Sequence, residues 1–259
     1  MKVKKQNTKI EWLLSKSQRV LDWIDNTGNC NLTTNGELRF LKEIKTHYRD
    51  TSTVTIFDVG SNVGEYSELL LKTLGRKAQV HAFEPQASCF AILEKKFADT
   101  PQIKINHFGL SAIAKNANLY KDDESSMLAS LYERNLEHRD IAMESIETVR
   151  LQPAEAYLAE QNINHIELLK VDVEGHELDV FAGFGDFLHG DHIDFIQFEY
   201  GGCNLDSNTS LQELFTYLSD RDFVLCKMMR RGLEIRPYSD RLENFTYQNW
   251  VAVSKRIAK

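Results

Sequence analysis

The chain has 259 residues, 42% of them hydrophobic and 27% charged, which suits one large α/β domain with an N-terminal extension and a full buried core. A net charge of −7 and a pI near 5.7 argue against nucleic acid as the main partner, because duplex binding rests on a basic footprint. Cys30, Cys89, Cys203 and Cys226 form no C-x-x-C pair, so neither a zinc site nor a disulfide framework is expected, a reducing cytoplasm is the natural location, and no apolar run reaches membrane-spanning length.

The start, Met1 to Lys9, is basic and leads into Ile10-Glu-Trp-Leu-Leu-Ser15, too short and polar for a signal peptide. Leu13, Leu14, Val20, Leu21 and Ile24 predict an amphipathic helix over 10–25, and Leu38, Phe40, Leu41 and Ile44 predict a second over 36–48. These fill an extension, residues 1–50, that either caps the site, forms a surface for a homo-oligomer, or simply packs on the sheet. The domain proper, 51–259, alternates strands at 54–59, 78–83, 103–108, 166–173, 193–199, 223–228 and 248–254 with helices at 65–74, 86–98, 153–161, 176–188 and 209–220. That rhythm predicts a mainly parallel sheet with helices on both faces. It breaks between Ser111 and Pro153, where Ala117–Tyr120 and Thr148–Leu151 look like short strands around a long polar stretch, functional or disordered. The last two strands are joined through Arg230-Arg231-Gly232 and a long polar link without a helix, and predict an antiparallel pair at the sheet edge. The two arginines suit an anionic group on a lipid-linked or nucleotide sugar, or simply a solvated turn.

The first chemical signal is Asp58-Val-Gly60-Ser-Asn62-Val-Gly64-Glu-Tyr66-Ser67. A strand ends in an acid, two glycines allow a sharp turn, and a helical pattern starts at once, so the loop lies at the carboxyl edge where α/β sheets bind ligands. A dinucleotide fingerprint would carry a further middle glycine and no acid before the turn. Asp58 would repel phosphates but suits a cationic amino-acid moiety such as the methionyl end of S-adenosylmethionine. Glu84, closing the next strand before Pro85, is placed to accept two ribose hydroxyls. The bland alternative is a structural turn plus a surface glutamate.

The second signal is Leu168-Leu-Lys170-Val-Asp172-Val-Glu174-Gly-His176-Glu177. So many charges after an apolar strand are costly unless they serve a ligand or are well paired. As a fourth strand it would lie beside the Asp58 loop, bringing Asp172, Glu174 and His176 to the reacting centre. Asp172 as a helix cap with solvated neighbours is the plainer alternative.

With these motifs the chain resembles the FkbM family of S-adenosylmethionine-dependent methyltransferases. Asp58 to Gly64 matches the family's Asp-Val-Gly-x-Asn-x-Gly loop, Phe83-Glu84-Pro85 its second strand, and Lys170 to Glu177 its Lys-x-Asp-x-Glu-Gly-x-Glu segment. Asn106 to Ser111 and Asn249 to Val253 extend the likeness over approximately residues 35–254. The resemblance implies a class I methyltransferase fold, Rossmann-like, with seven strands and one antiparallel. It also implies O-methylation of a sugar, glycan or hydroxylated natural product. Asp58, Gly60, Asn62, Gly64, Tyr66 and Ser67 would line the methionyl pocket, Glu84 with Pro85 would meet the ribose, and Gly109, Leu110 and Ser111 would border the adenine. Asp172 would orient the acceptor or the cofactor's amino group, and His176 or Glu174 would be the base. Glu199 and Tyr200, closing the fifth strand, face the same cleft and would contact the acceptor. Asp172 with Glu199 has the oxygen donors of a Mg²⁺ site, but the adjacent acid-amide pair is missing, so no metal is assigned. Two competing readings are an NAD-dependent Rossmann oxidoreductase and a methyltransferase-like domain that binds without turnover.

Overall fold

Runs of β-branched and aromatic residues that tolerate burial on both faces build the centre of this computed structural model. The structure describes residues 8–122, 126, 128–136, 139–143 and 145–258. Helices α1 (Thr8–Asp25) and α2 (Glu37–His47) precede β1 (Val54–Val59), and α3 (Glu65–Leu74), β2 (Ala78–Phe83), α4 (Ala87–Lys96) and β3 (Ile103–Asn106) follow. Next come β4 (Gly109–Leu110), β5 (Lys115–Lys121), β6 (Ser145–Gln152), α5 (Ala154–Gln161), β7 (Ile166–Val171), α6 (Glu177–Ala182) and β8 (Ile193–Tyr200). The chain closes with α7 (Gly202–Ser207), α8 (Leu211–Ser219), β9 (Phe223–Met229), β10 (Gly232–Ile235) and β11 (Gln248–Ser254).

The main sheet has the order β10-β9-β11-β8-β7-β1-β2-β3. From β1 the chain winds outward through β2 and β3, then returns to the other side of β1 with β7 and β8, so strand order reverses between β1 and β7. Val59 is in register with Val171 there, and the amide of Asp172 donates to the Val59 carbonyl at 3.0 Å. The anticipated class I methyltransferase architecture is therefore present, with the reversal where ligands of open α/β sheets bind.

The sheet carries a core on each face. One is built around Phe57, Phe83, Tyr157, Phe181, Phe198 and Trp250. The other is built around Phe40, Leu41, Ile44, Tyr66, Leu70 and Phe195. α2 thus belongs to the sheet packing, whereas α1 has no buried residue.

Details depart from expectation. Among the described residues eight strands, not seven, form the main sheet, because a turn at Arg230-Arg231 folds Gly232–Ile235 back on β9 as an edge strand. β11 is antiparallel as expected but lies one place further in, between β8 and β9. All seven of its residues are buried, and such a strand needs neighbours on both edges. The third strand stops at Asn106, whose side-chain amide donates to the Ala82 carbonyl. The chain then enters a separate three-stranded sheet, β4-β6-β5. The strand predicted over 166–173 ends at Val171. The helix predicted over 176–188 ends at Ala182, just before Gly183, where a Cβ would come within 2.2 Å of the Ser111 carbonyl oxygen.

Candidate active site

The loop after β1 is shaped by close backbone approaches. Gly60 has φ +81°, and a Cβ there would fall 1.8 Å from the Asp172 carbonyl oxygen, so only glycine lets β1 and β7 meet at the crevice. Asp58 is fully buried beneath the loop. Its Oδ2 accepts from Ser67 Oγ at 2.6 Å, while its Oδ1 has no hydrogen-bond partner and lies 3.9 Å from Lys170 Nζ. Burial pushes this carboxyl up, with Lys170 and Ser67 opposing.

Glu84 projects from the end of β2 into the same crevice. Its Oε2 accepts the Asn62 amide at 2.7 Å and its Oε1 accepts the Gln86 amide at 2.8 Å. Burial nevertheless drives its pKa to about 7. Two amides therefore fix an acceptor group at the cavity wall, the arrangement a diol ligand requires.

On the other side of the reversal the segment after β7 is an ordered charge network. Lys170 is buried; burial opposes its charge, but Asp172 at 2.9 Å and the Asp58 carboxylate outweigh that and raise its pKa. Its ammonium also lies 4.9 Å from the centre of the Tyr66 ring. Glu174 has φ +50°, a strained conformation of the kind that clusters at functional sites. Gly175, at φ +102°, follows it against the Cys203 carbonyl. Burial, with the Asp172 charge adding and Arg134 opposing, brings the Glu174 pKa to about 7. His176 opens α6 with both ring nitrogens engaged, Nδ1 with Tyr132 Oη at 3.1 Å and Nε2 with Ser111 Oγ at 3.0 Å. Burial lowers its pKa, with the Asp179 charge opposing. Glu177 points inward, where its Oε1 accepts the Gly175 amide.

These groups border a cavity of about 650 Å³, within the roughly 300–1,000 Å³ range of small-molecule sites. Of the residues expected from sequence, Gly60, Asn62, Glu84, Pro85, Gly109, Leu110, Asp172, Glu174, His176, Glu199 and Tyr200 line it together. Asp58, Gly64, Tyr66, Ser67 and Ser111 stand behind that wall. Tyr66 donates to Gln197 Oε1 at 2.6 Å, Gly64 makes room for Leu93 and Phe97, and Ser111 supports His176. Tyr200 lines the cavity but its hydroxyl donates to Glu243 at 2.6 Å. Glu199 Oε1 accepts from the Tyr247 hydroxyl at 2.7 Å, and burial raises its pKa strongly. Lys170 and Tyr247 thus already supply positive charge and a proton to Asp172 and Glu199, and among the described residues no cluster of three or more His, Cys, Asp or Glu is arranged for a metal ion.

Sequence reasoning missed the roof. Between β5 and β6, Ser126 accepts from Asn62 Nδ2 through its carbonyl at 3.0 Å, and Ser130 Oγ donates to the Glu174 carbonyl at 2.8 Å. Buried Arg134 binds Glu174 at 2.8 Å and Asp206 at 3.2 Å. Leu128 and Leu131 close the cavity above, and Cys30 and Leu32, between α1 and α2, close one side. The anomalous length of the polar stretch was the one signal that could have pointed to it.

The chain is similar in sequence to known methyltransferases. Methyltransferase 1 of Beauveria bassiana is 27% identical over 186 residues, covering 66% of this chain and 72% of that protein. Hexuronic acid methyltransferase AglP of Haloferax volcanii is 28% identical over 177 residues, covering 66% and 69%. The crystal structure of a methyltransferase FkbM from Methylobacillus flagellatus superposes with a TM-score of 0.50 at 15% identity, over 78% of this chain and 44% of that one, a likeness of fold. A family model described as the methyltransferase FkbM domain matches residues 58–225, from the acid of the first loop to the middle of β9, and the chain belongs to that family.

Proposed function

We propose that the protein is an S-adenosylmethionine-dependent O-methyltransferase acting on a hydroxyl of a sugar, a glycan or a hydroxylated natural product. The observation that carries this reading is the pair of glutamates, buried Glu84 and partly buried Glu174, facing one cavity from opposite sides of the strand reversal. S-adenosylmethionine, when bound, supplies an electrophilic methyl group on a sulfonium. The residues present fit it: Glu84 is held by two amides to accept both ribose hydroxyls, Leu110 and Pro85 offer an apolar wall to the adenine, and Asp172 carries charge toward the cationic end.

An alcohol is a weak nucleophile and must lose its proton as the new C–O bond forms, so a base within hydrogen-bond reach is required. Glu174 takes that part, because its pKa near 7 leaves it half deprotonated at neutral pH and able to accept a proton. His176 is buried and held at both nitrogens, so it orients the strand end and helps exclude water. Arg134 fixes the Glu174 carboxylate, and Tyr247 and Glu199 border the acceptor side. The relative that methylates hexuronic acid supports a sugar acceptor.

Calorimetric titration with S-adenosylmethionine and, separately, with NAD tests the cofactor assignment. Glu84→Ala should weaken S-adenosylmethionine binding at least about tenfold, the loss of one or more charge-assisted hydrogen bonds. Glu174→Gln should leave that affinity within a few-fold and slow methyl transfer by about 10²-fold or more. Binding of NAD in place of S-adenosylmethionine would overturn the reading, and binding without transfer to any glycoside acceptor would favour a catalytically silent domain.

A further inference from the structure

α1 is a helix in search of a surface. It is held to the body near its C-terminal end, where Asp25 pairs with Lys227 and Arg236, Arg230 donates to the Trp23 carbonyl, and Asn26 Nδ2 donates to the Met228 carbonyl. Its eight large apolar side chains, from Ile10 to Ile24, are each between 51% and 67% exposed. In proteins the stability of a helix ordinarily comes from packing of its apolar face.

The arrangement of charge around that face indicates what covers it. At 100° per residue, Ile10, Leu13, Leu14, Val20, Leu21 and Ile24 fall within an arc of about 120°. Lys9, Lys16 and Arg19 form one shoulder together with Trp12 and Trp23, and Lys16 Nζ lies 5.8 Å from the Trp12 ring centre. Glu11, Asp22 and Asp25 form the other shoulder, of which Asp25 is tied to the body. Residues 1–19 contain six Lys or Arg and one Glu, a net +5 in a chain of net −7, so the remainder carries −12. Arg230 and exposed Arg231, at the β9–β10 turn, add further positive charge beside Trp23.

We propose that α1 docks the protein on an anionic lipid surface, its apolar face entering the boundary between headgroups and acyl chains while the lysine and arginine shoulder meets lipid phosphates. Lysines at the edge of an apolar face with tryptophans beyond them on the same flank give a composition shared by helices that lie in the membrane interface. Pairing with a second copy fits less well. It would use only the apolar arc, which has Ser17 at its centre, and would leave both tryptophans and the excess positive charge in water. No described helix is long and apolar enough to cross a membrane, so the helix lies on the surface.

Sedimentation of the full chain with phosphatidylcholine vesicles, with and without one-third phosphatidylglycerol, tests this. Binding is expected only to the anionic vesicles, weakening as salt is raised. The pair Leu13→Glu/Leu21→Glu and the pair Lys16→Glu/Arg19→Glu should each lower the partition constant about tenfold or more. Both pairs replace exposed side chains, so thermal unfolding should be unchanged and loss of binding cannot be ascribed to misfolding. Equal or absent binding to the two vesicle types overturns the proposal. So does a dimer in sedimentation velocity that Leu13→Glu/Leu21→Glu dissociates while no vesicle is bound. Because the measurement is binding alone, its failure leaves the methyltransferase reading untouched.

Discussion

Glu174 and Arg134 form a unit in which a side chain from the roof sets the protonation of one on the floor. The partly buried carboxyl is driven up by desolvation, and the guanidinium at 2.8 Å restrains that rise. If Glu174 is the base, kcat/KM must increase with pH through a midpoint near its pKa of about 7, because only the carboxylate accepts a proton. Removing the cation in Arg134→Ala should move that midpoint upward by roughly one unit or more, whereas Arg134→Lys should return it toward the wild-type position. A pH–rate profile of the three proteins decides the point. An unmoved midpoint in Arg134→Ala would confine the arginine to holding Asp206 and the roof together.

Among the elements, the loop between β1 and α3 shows what a sequence reveals and what it hides. An acid and two glycines at a strand end suffice to place a ligand loop at the sheet edge, and Glu84 and Asp172 were locatable because each closes an apolar strand. The facing of each side chain was not. Asp58 points under its own loop, because Ser67 and Lys170 wait there, and Gly64 is required by a neighbouring helix. Gly64→Ala would place a Cβ 2.6 Å from Leu93 and 2.7 Å from Phe97 at φ +78°, combining left-handed strain with overpacking, about 2–4 kcal/mol in all. Its melting temperature should drop by roughly 4–12 °C. Gly75→Ala, with nothing within 4 Å of the new Cβ, should lose only the backbone contribution, and thermal unfolding of both measures the difference. β10 and the roof escaped notice for another reason. Gly232–Ile235 is half solvated and too short for a periodic signature, and Arg134 stands in a polar stretch whose partners lie forty and seventy-two residues away in the chain.

For the molecule as a whole, the buried acids determine how stability responds to pH. Glu84, Glu174 and Glu177 are each raised by burial from 4.5 to about 7. Between those values the native state binds more protons than the unfolded chain, so stability should increase as pH falls from 8 toward 5. Asp194 and Asp25 work in the opposite sense: burial opposes their charge, but His165 and Tyr48 on Asp194, and Lys227 and Arg236 on Asp25, hold them below 3.8. Their contribution is lost as pH falls through that lower range, which sets a maximum near pH 5. Urea unfolding across this range should show the maximum, and Glu177→Gln should flatten the limb between 5 and 8 by on the order of 1–3 kcal/mol.

The inserted position of β11 also orders events during synthesis. β8 and β9 cannot close on each other, because the slot between them belongs to residues 248–254, and a ribosome makes those after the other described strands. The nascent chain therefore carries two open edges until residues 248–254 leave the exit tunnel, so β9 and β10 join the rest of the sheet only after the residues that line the cavity have been made.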